Sequence, residues 1–377
     1  MKKIPIITFI IFIVWLTGLS GSAFCFNYKG IDVKVRCSGS ESYDDNITFV
    51  NKNERKDFIT DISLGLGLKY EGKTHSIELG GNIYQQLFAK YHTFNNTSED
   101  LTLDFRQEFS KYDRITLKDV FTHTYEPRSF EDVFGRTPGR YSYFKNRLDL
   151  AYTKDITRQF SIGAKYSNEV NDISKEDIND SYLNIAGLEA TYFPSSNILF
   201  MLSYDFTCRN FNPGSSATTH TVASGLRYYM TKQFYFDGRA GIDIINSYDN
   251  KNYAKPVILA SLVNDIDENS RASISFAKRY YTKAYAQDLF DYWETRGTFT
   301  TQLYKRLGCS ISGFYGEGEY IPVDVTDKLR GVSVAFTYDL SESSKGNLRY
   351  TYSDVTSTID TREYNKNKIF LGISYEF

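Results

Sequence analysis

Ile369-Phe370-Leu371-Gly372-Ile373-Ser374-Tyr375-Glu376-Phe377 ends the sequence on a strict period of two. Ile369, Leu371, Ile373, Tyr375 and Phe377 share one face, while Phe370, Gly372, Ser374 and Glu376 share the other. That is the period of a β-strand and not of a helix. The split recurs upstream. From Phe58 to Tyr70, Phe58, Thr60, Ile62, Leu64, Leu66, Leu68 and Tyr70 oppose Asp61, Ser63, Gly65, Gly67 and Lys69. Leu101, Leu103, Phe105 and Phe109 oppose Thr102, Asp104, Arg106 and Glu108. Phe160, Ile162, Ala164 and Tyr166 oppose Ser161, Gly163, Lys165 and Ser167, and Val332, Val334, Phe336 and Tyr338 oppose Gly331, Ser333, Ala335 and Thr337.

A soluble sandwich and a membrane barrel both produce such alternation, so strand length and connection pattern separate them. With their flanks the strands run roughly 10 to 15 residues, whereas globular strands average about 5 to 6 and a tilted membrane strand needs about 9 to 11. Short polar turns fall at residues 71–73, 111–113, 155–158, 194–197, 231–233, 267–270 and 341–346. Longer irregular stretches at 42–56, 125–140, 170–179 and 319–327 alternate with them. Short turns at one rim and long loops at the other are the asymmetry of an outer-membrane barrel.

Tyr70, Tyr112, Tyr152, Tyr192, Tyr228, Tyr304, Tyr338 and Tyr375 mark a hairpin repeat near the short turns, with one doubled interval between Tyr228 and Tyr304. Tyr112 and Tyr304 stand off the apolar face. Nine hairpins give an all-β, antiparallel up-and-down barrel of eighteen strands. Sixteen is the alternative, because residues 257–263 and 309–315 alternate poorly. The terminal aromatics Tyr375 and Phe377 look like the outer-membrane assembly signal, with the last strand closing onto the first and leaving no edge.

Composition agrees. Aromatic residues make up 16% of the chain, as 31 Tyr, 28 Phe and two Trp, beside a mean hydropathy of −0.41. The chain is too polar for a bundle of membrane helices, and the aromatics suit interfacial girdles. Lys2 and Lys3, the apolar stretch 4–16 and the small residues Gly18, Ser20, Gly21, Ser22 and Ala23 read as a signal peptide over residues 1–25, leaving 26–377 as the barrel. A lipoprotein reading of Cys25 meets Phe24 where such a site wants Gly or Ala. Loss of the two lysines takes the formal charge from −2 to −4, with no basic tract for nucleic acid. Cys37, Cys208 and Cys309 are odd in number and far apart, which is neither a disulfide framework nor a metal cluster.

Ser42-Tyr43-Asp44-Asp45-Asn46-Ile47, followed by Lys56-Asp57-Phe58-Ile59-Thr60-Asp61-Ile62 and Leu64-Gly65-Leu66, resembles the β-barrel porin 2 family. Leu64 stands where that family often has Pro. The resemblance is sharp over residues 28–70 and at the C-terminus, and elsewhere architectural. It implies an association with exopolysaccharide production, hence a role in polymer export and partners among polysaccharide-synthesis and export components. Lipid and the barrel assembly machinery of a Gram-negative outer membrane are the other expected partners.

No cofactor, metal site or catalytic residue is expected. The histidines are His75, His92, His123 and His220, none beside a Gly-x-Ser-x-Gly elbow, although a triad assembled only in space escapes sequence. A barrel-embedded hydrolase acting through these histidines and a structural or adhesive barrel are the rival readings. Asp44-Asp45-Asn46 and Asp265-Asp267-Glu268 are the nearest to a cation site, and both read as turns. Alternation instead assigns function to the inward face. Asp104, Arg106, Lys145, Arg147, Asp149, Arg209, Arg227, Arg239, Glu294 and Arg296 are expected to line a pore that passes hydrophilic solute without chemistry, with Arg147, Arg239 and Arg296 guiding any anionic polymer.

Overall fold

Regular alternation leaves each strand able to bury neither face on its own, so the strands must pair edge to edge until no edge remains. The computed structural model describes residues 26–28, 30–125, 141–174, 179–282, 289–321 and 324–377. The expected signal peptide and most of the stretch 125–140 lie outside them. The strands are β1 (Phe26–Tyr28), β2 (Ile31–Asp44), β3 (Asp57–Glu71), β4 (His75–Phe88), β5 (Asn96–Ser110), β6 (Asp113–Thr124) and β7 (Tyr143–Asp155). They continue with β8 (Phe160–Ile173), β9 (Asp180–Ser195), β10 (Ile198–Asn212), β11 (Ser216–Tyr229), β12 (Phe234–Asn246) and β13 (Asn252–Asp265). The last six are β14 (Ser270–Thr282), β15 (Leu289–Tyr304), β16 (Leu307–Ile321), β17 (Val325–Asp339), β18 (Ser344–Ser357) and β19 (Tyr364–Glu376).

From β2 onward every strand pairs antiparallel with the next, and β19 returns to β2 through Ile369↔Tyr43, Ile373↔Gly39 and Tyr375↔Cys37. The result is a closed barrel of eighteen strands. The poorly alternating β13 and β16 are paired on both sides, which removes the sixteen-strand alternative. The short β1 folds back on β2 through Gly30, whose φ of 86° is open to glycine at little cost. It pairs with Ile31, Asp32 and Val33, the part of β2 that lies beyond the reach of β19.

Short turns join β3 to β4, β5 to β6 and so on around one rim, where Lys305-Arg306 supplies a turn between β15 and β16. The longer connections collect at the other rim. One face of the wall carries exposed apolar side chains throughout: Ile62, Leu64, Leu66, Leu101, Leu188, Leu202, Ile244, Ile274, Val332, Ile369 and Leu371 are all exposed. Tyr70, Tyr152, Tyr192, Tyr228, Tyr338 and Tyr375 ring this face near the short turns. A wall of exposed aliphatics between aromatics is stable against hydrocarbon and not against water. The cysteines among the described residues are free and lie on this face, Cys37 opposite Leu64, Cys208 opposite Thr218 and Cys309 opposite Phe336.

Candidate functional site: the concave face and its rim

Contacts between strands that are not neighbours identify the inner face, since only a concave wall brings them within reach. Arg239 on β12 meets Glu189 on β9 at 3.2 Å, and Arg209 on β10 meets Glu169 on β8 at 3.3 Å. Arg209 also donates to the Thr282 hydroxyl on β14 at 3.2 Å. Register pairing then carries the face around the barrel. Asp104, Arg106, Lys145, Arg147, Asp149, Arg209, Arg227, Arg239, Glu294 and Arg296 all stand on it.

Most of these charges are engaged with one another. Arg147 and Lys145 on β7 and Arg209 on β10 converge on Glu169, at 3.4, 3.1 and 3.3 Å. Glu169 and Arg209 are both buried. Asn171 donates to Glu169 at 3.0 Å and to Ser181 at 3.2 Å, Arg209 reaches Ser181 at 3.0 Å, and the Tyr143 hydroxyl closes on Asn171 at 2.6 Å. Arg147 also forks onto Asp149. Elsewhere Arg106 pairs with Glu108, Arg227 with Asp237, Arg296 with Glu294 at 2.9 Å, and Asp104 lies 3.9 Å from Lys118. Lys165 bonds Asp205 at 2.8 Å across Gly187. A Cβ at Gly187 would fall 2.1 Å from the Asp205 carboxylate and 2.4 Å from the Lys165 stem, so only glycine leaves this pair its place. Sequence reasoning missed Glu169 as the hub. Its only signal was that it continues the odd-numbered set Ser161, Gly163, Lys165 and Ser167 up to the stretch 170–179 that looked like a loop.

The inner face is not polar along its whole height, which corrects the simple reading of alternation. At the loop rim Phe290, Tyr320, Val325, Leu329, Val355 and Tyr364 form a buried apolar cluster on β15–β19. Ile59 and Phe88 form another, capped by Ile47 from the connection 45–56. Asn46 is wholly buried and donates to the carbonyls of Val50 and Asn365, while Lys366 bonds Asp44 at 2.7 Å and stacks over Phe49. The acidic turn is therefore a clasp that folds this connection inward. Among the described residues no group of His, Cys, Asp and Glu could hold a metal ion.

The wall itself also turns inward at one place. β12 and β13 pair along the whole of β13, but β13 and β14 pair only from Asp265↔Arg271 to Ile258↔Lys278. Two residues further on, Pro256 would stand opposite Tyr280. The Asp265 N–H points to β12, so alternation turns the backbone of Pro256 toward β14, where proline has no N–H to offer. The Tyr280 N–H goes instead to the carboxylate of Asp243 on the inner face of β12. Above this point β14 and β15 stay paired with each other through Thr282↔Leu289 and lean over the inner face. Tyr280 and Leu289 are buried against Ile245, Lys255 lies over the Tyr280 ring, and Thr282 reaches Arg209. Four strand spacings separate β10 from β14 along the wall, about 19 Å, so that last bond requires the chain to leave the wall and narrow the lumen.

The histidines are scattered. His75 stacks with Tyr70 beside a short turn, His92 lies in a 3-10 turn at the loop rim, and His220 bonds the Tyr204 hydroxyl on the convex face. His123, at the loop end of β6, has its Nδ1 3.0 Å from the Glu99 carboxylate and its Nε2 3.0 Å from the Ser142 hydroxyl. All three side chains are on the convex side, with Glu99 opposite His123 and His123 opposite Phe144 in register.

No protein-family model matches the chain, and no curated protein matches it. Solved structures do. OpdQ of Pseudomonas aeruginosa is 10% identical with a TM-score of 0.54, the match covering 93% of this chain and 99% of that one. The outer membrane protein OpdK of Pseudomonas aeruginosa is 10% identical with a TM-score of 0.52, covering 92% and 98%. The likeness is one of fold: this chain has the architecture of outer-membrane β-barrels over nearly its whole length.

Proposed function

We propose that the barrel sits in a bacterial outer membrane and passes hydrophilic solute passively along its charged inner face. The observation that supports this most is the division of the wall: exposed aliphatics outside, and inside a set of carboxylates and guanidinium groups that already neutralise one another. Such a lining offers a hydrated path and hydrogen bonds to a solute without a net charge that would trap it. Arg147, Arg239 and Arg296 each have a carboxylate partner, so they act as bonding groups more than as free positive charges. The acidic turn and the strand after it, which resemble the β-barrel porin 2 family, favour a polysaccharide as the solute, and polymer-export components as partners. Refolded protein in planar bilayers should give discrete conductance steps. Acidic and neutral oligosaccharides added on either side should shorten the open time if the solute is a polymer. Steps that ignore every oligosaccharide would return the protein to a general porin, and no steps at all would end the channel reading.

A further inference from the structure

We propose a second activity on the outside of the barrel: Ser142, His123 and Glu99 form a serine-hydrolase triad that cleaves acyl esters at the membrane surface. Three groups are needed for such chemistry: a hydroxyl, a base within hydrogen-bond reach of it, and an acceptor that fixes the base. Here they come from three consecutive strands or strand ends. Glu99 accepts from His123 Nδ1–H at 3.0 Å, which leaves the lone pair on Nε2. That nitrogen is 3.0 Å from Ser142 Oγ and is placed to take its proton. The serine side chain is partly accessible and Glu99 is exposed, so the group is open to a substrate from outside.

The place on the barrel identifies the substrate class. On the convex face Phe144 stands level with His123 and packs edge to face at 5.1 Å on Phe121, one same-face row lower. Exposed Leu101 pairs with Phe121, and the next row of the same face sets half-buried Leu103 and Leu148 on either side of Asp119, which accepts from the Asn146 amide at 2.6 Å. Hydrocarbon chains lie along this wall, and the triad stands where the wall gives way to polar rim. An ester linking an acyl chain to a polar alcohol sits at that same boundary, with its carbonyl at the level of Ser142. Ser142 Oγ would attack the carbonyl carbon while its proton passes to His123 Nε2. Collapse of the tetrahedral species breaks the acyl carbon–oxygen bond, and the departing alkoxide takes that proton. Water then attacks the acyl-serine, giving its proton to His123 and releasing the carboxylic acid, with the proton returned to Ser142.

The test uses the full-length protein refolded in detergent, with folding judged by the mobility shift between unheated and heated samples. A fluorophosphonate probe should modify Ser142, located by peptide mass spectrometry, and His123→Ala should abolish the modification. Mixed micelles of phosphatidylcholine should release fatty acid, and Ser142→Ala should lower the rate about a thousandfold. Glu99→Gln, which keeps the shape and loses the charge, should lower it by about a hundredfold or more. Absence of both labelling and fatty-acid release in folded wild type overturns the proposal, as does equal release from Ser142→Ala. Labelling with cleavage of a short soluble ester but of no lipid overturns the assignment of substrate. None of these results depends on whether the lumen conducts.

Discussion

Glu169 shows what a single side chain can set in a pore of this kind. It is buried beside Lys145, Arg147 and Arg209, so its removal leaves three cations facing a low-dielectric wall with one carboxylate fewer. Breaking a buried ionic group from one side costs about 3–5 kcal/mol, far more than the pair itself contributes to stability. We expect Glu169→Gln to lower the free energy of unfolding by urea in detergent by that order and to shift the reversal potential toward anion selectivity. An unchanged reversal potential would mean that Glu169 is remote from the ion path. The ten charges expected from alternation fall on one face because alternation reports orientation directly. Their partners were not legible, since Arg239–Glu189 joins residues 50 positions apart through curvature that no local pattern encodes. The same holds for Ser142, His123 and Glu99, which are 19 and 24 residues apart and meet only because consecutive strands pair in this register.

Among the strands, β13 and β14 depart most from a uniform barrel. Poor alternation at residues 257–263 was visible in the sequence, where it argued only against a strand. The physical cause is that the inner side of β13 faces small and apolar neighbours: Val257 lies opposite Gly241, and Val263 opposite Tyr235. Pro256 was visible too, but its effect depends on which way its backbone points, and that follows from pairing. Replacing Pro256 with Thr restores an N–H on the side of β14 and gives a residue suited to strands. Combined with Asp243→Asn, which weakens the competing acceptor for Tyr280, the upper part of β14 should rejoin β13. We predict a larger single-channel conductance for the double variant, and the same direction for Arg209→Ala, which frees Thr282. Conductance equal to wild type in both would show that the inward-leaning strands do not limit the path.

At the scale of the molecule, closure is the interaction on which all others depend. Phe377 bonds Val35 in both directions, at 2.8 and 3.1 Å, and Glu376 pairs in register with Arg36 and reaches Lys34 at 2.7 Å. Removing residues 375–377 strips the last rungs from this junction and exposes the lower edge of β2. The expected result is loss of the compact, heat-modifiable form on gels of unheated membranes, with the chain degraded or aggregated instead. Retention of that form at the wild-type level would show that the terminal aromatics are dispensable for assembly. Fold class was legible because a period of two repeated over the whole chain leaves few alternatives. The narrowing of the lumen and the apolar packing at its mouth were not, because both arise where the wall stops being regular.

The lipid-facing thiols give the protein a built-in ruler. Cys37 lies beside Tyr375 at the closing strand, whereas Cys208 stands near the opposite end of its own strand, two residues beyond Phe206. A hydrophobic nitroxide attached at either one would sense oxygen and a water-soluble nickel complex to different degrees. Their ratio, read at each position with the other two of Cys37, Cys208 and Cys309 replaced by Ser, would report immersion depth and tilt.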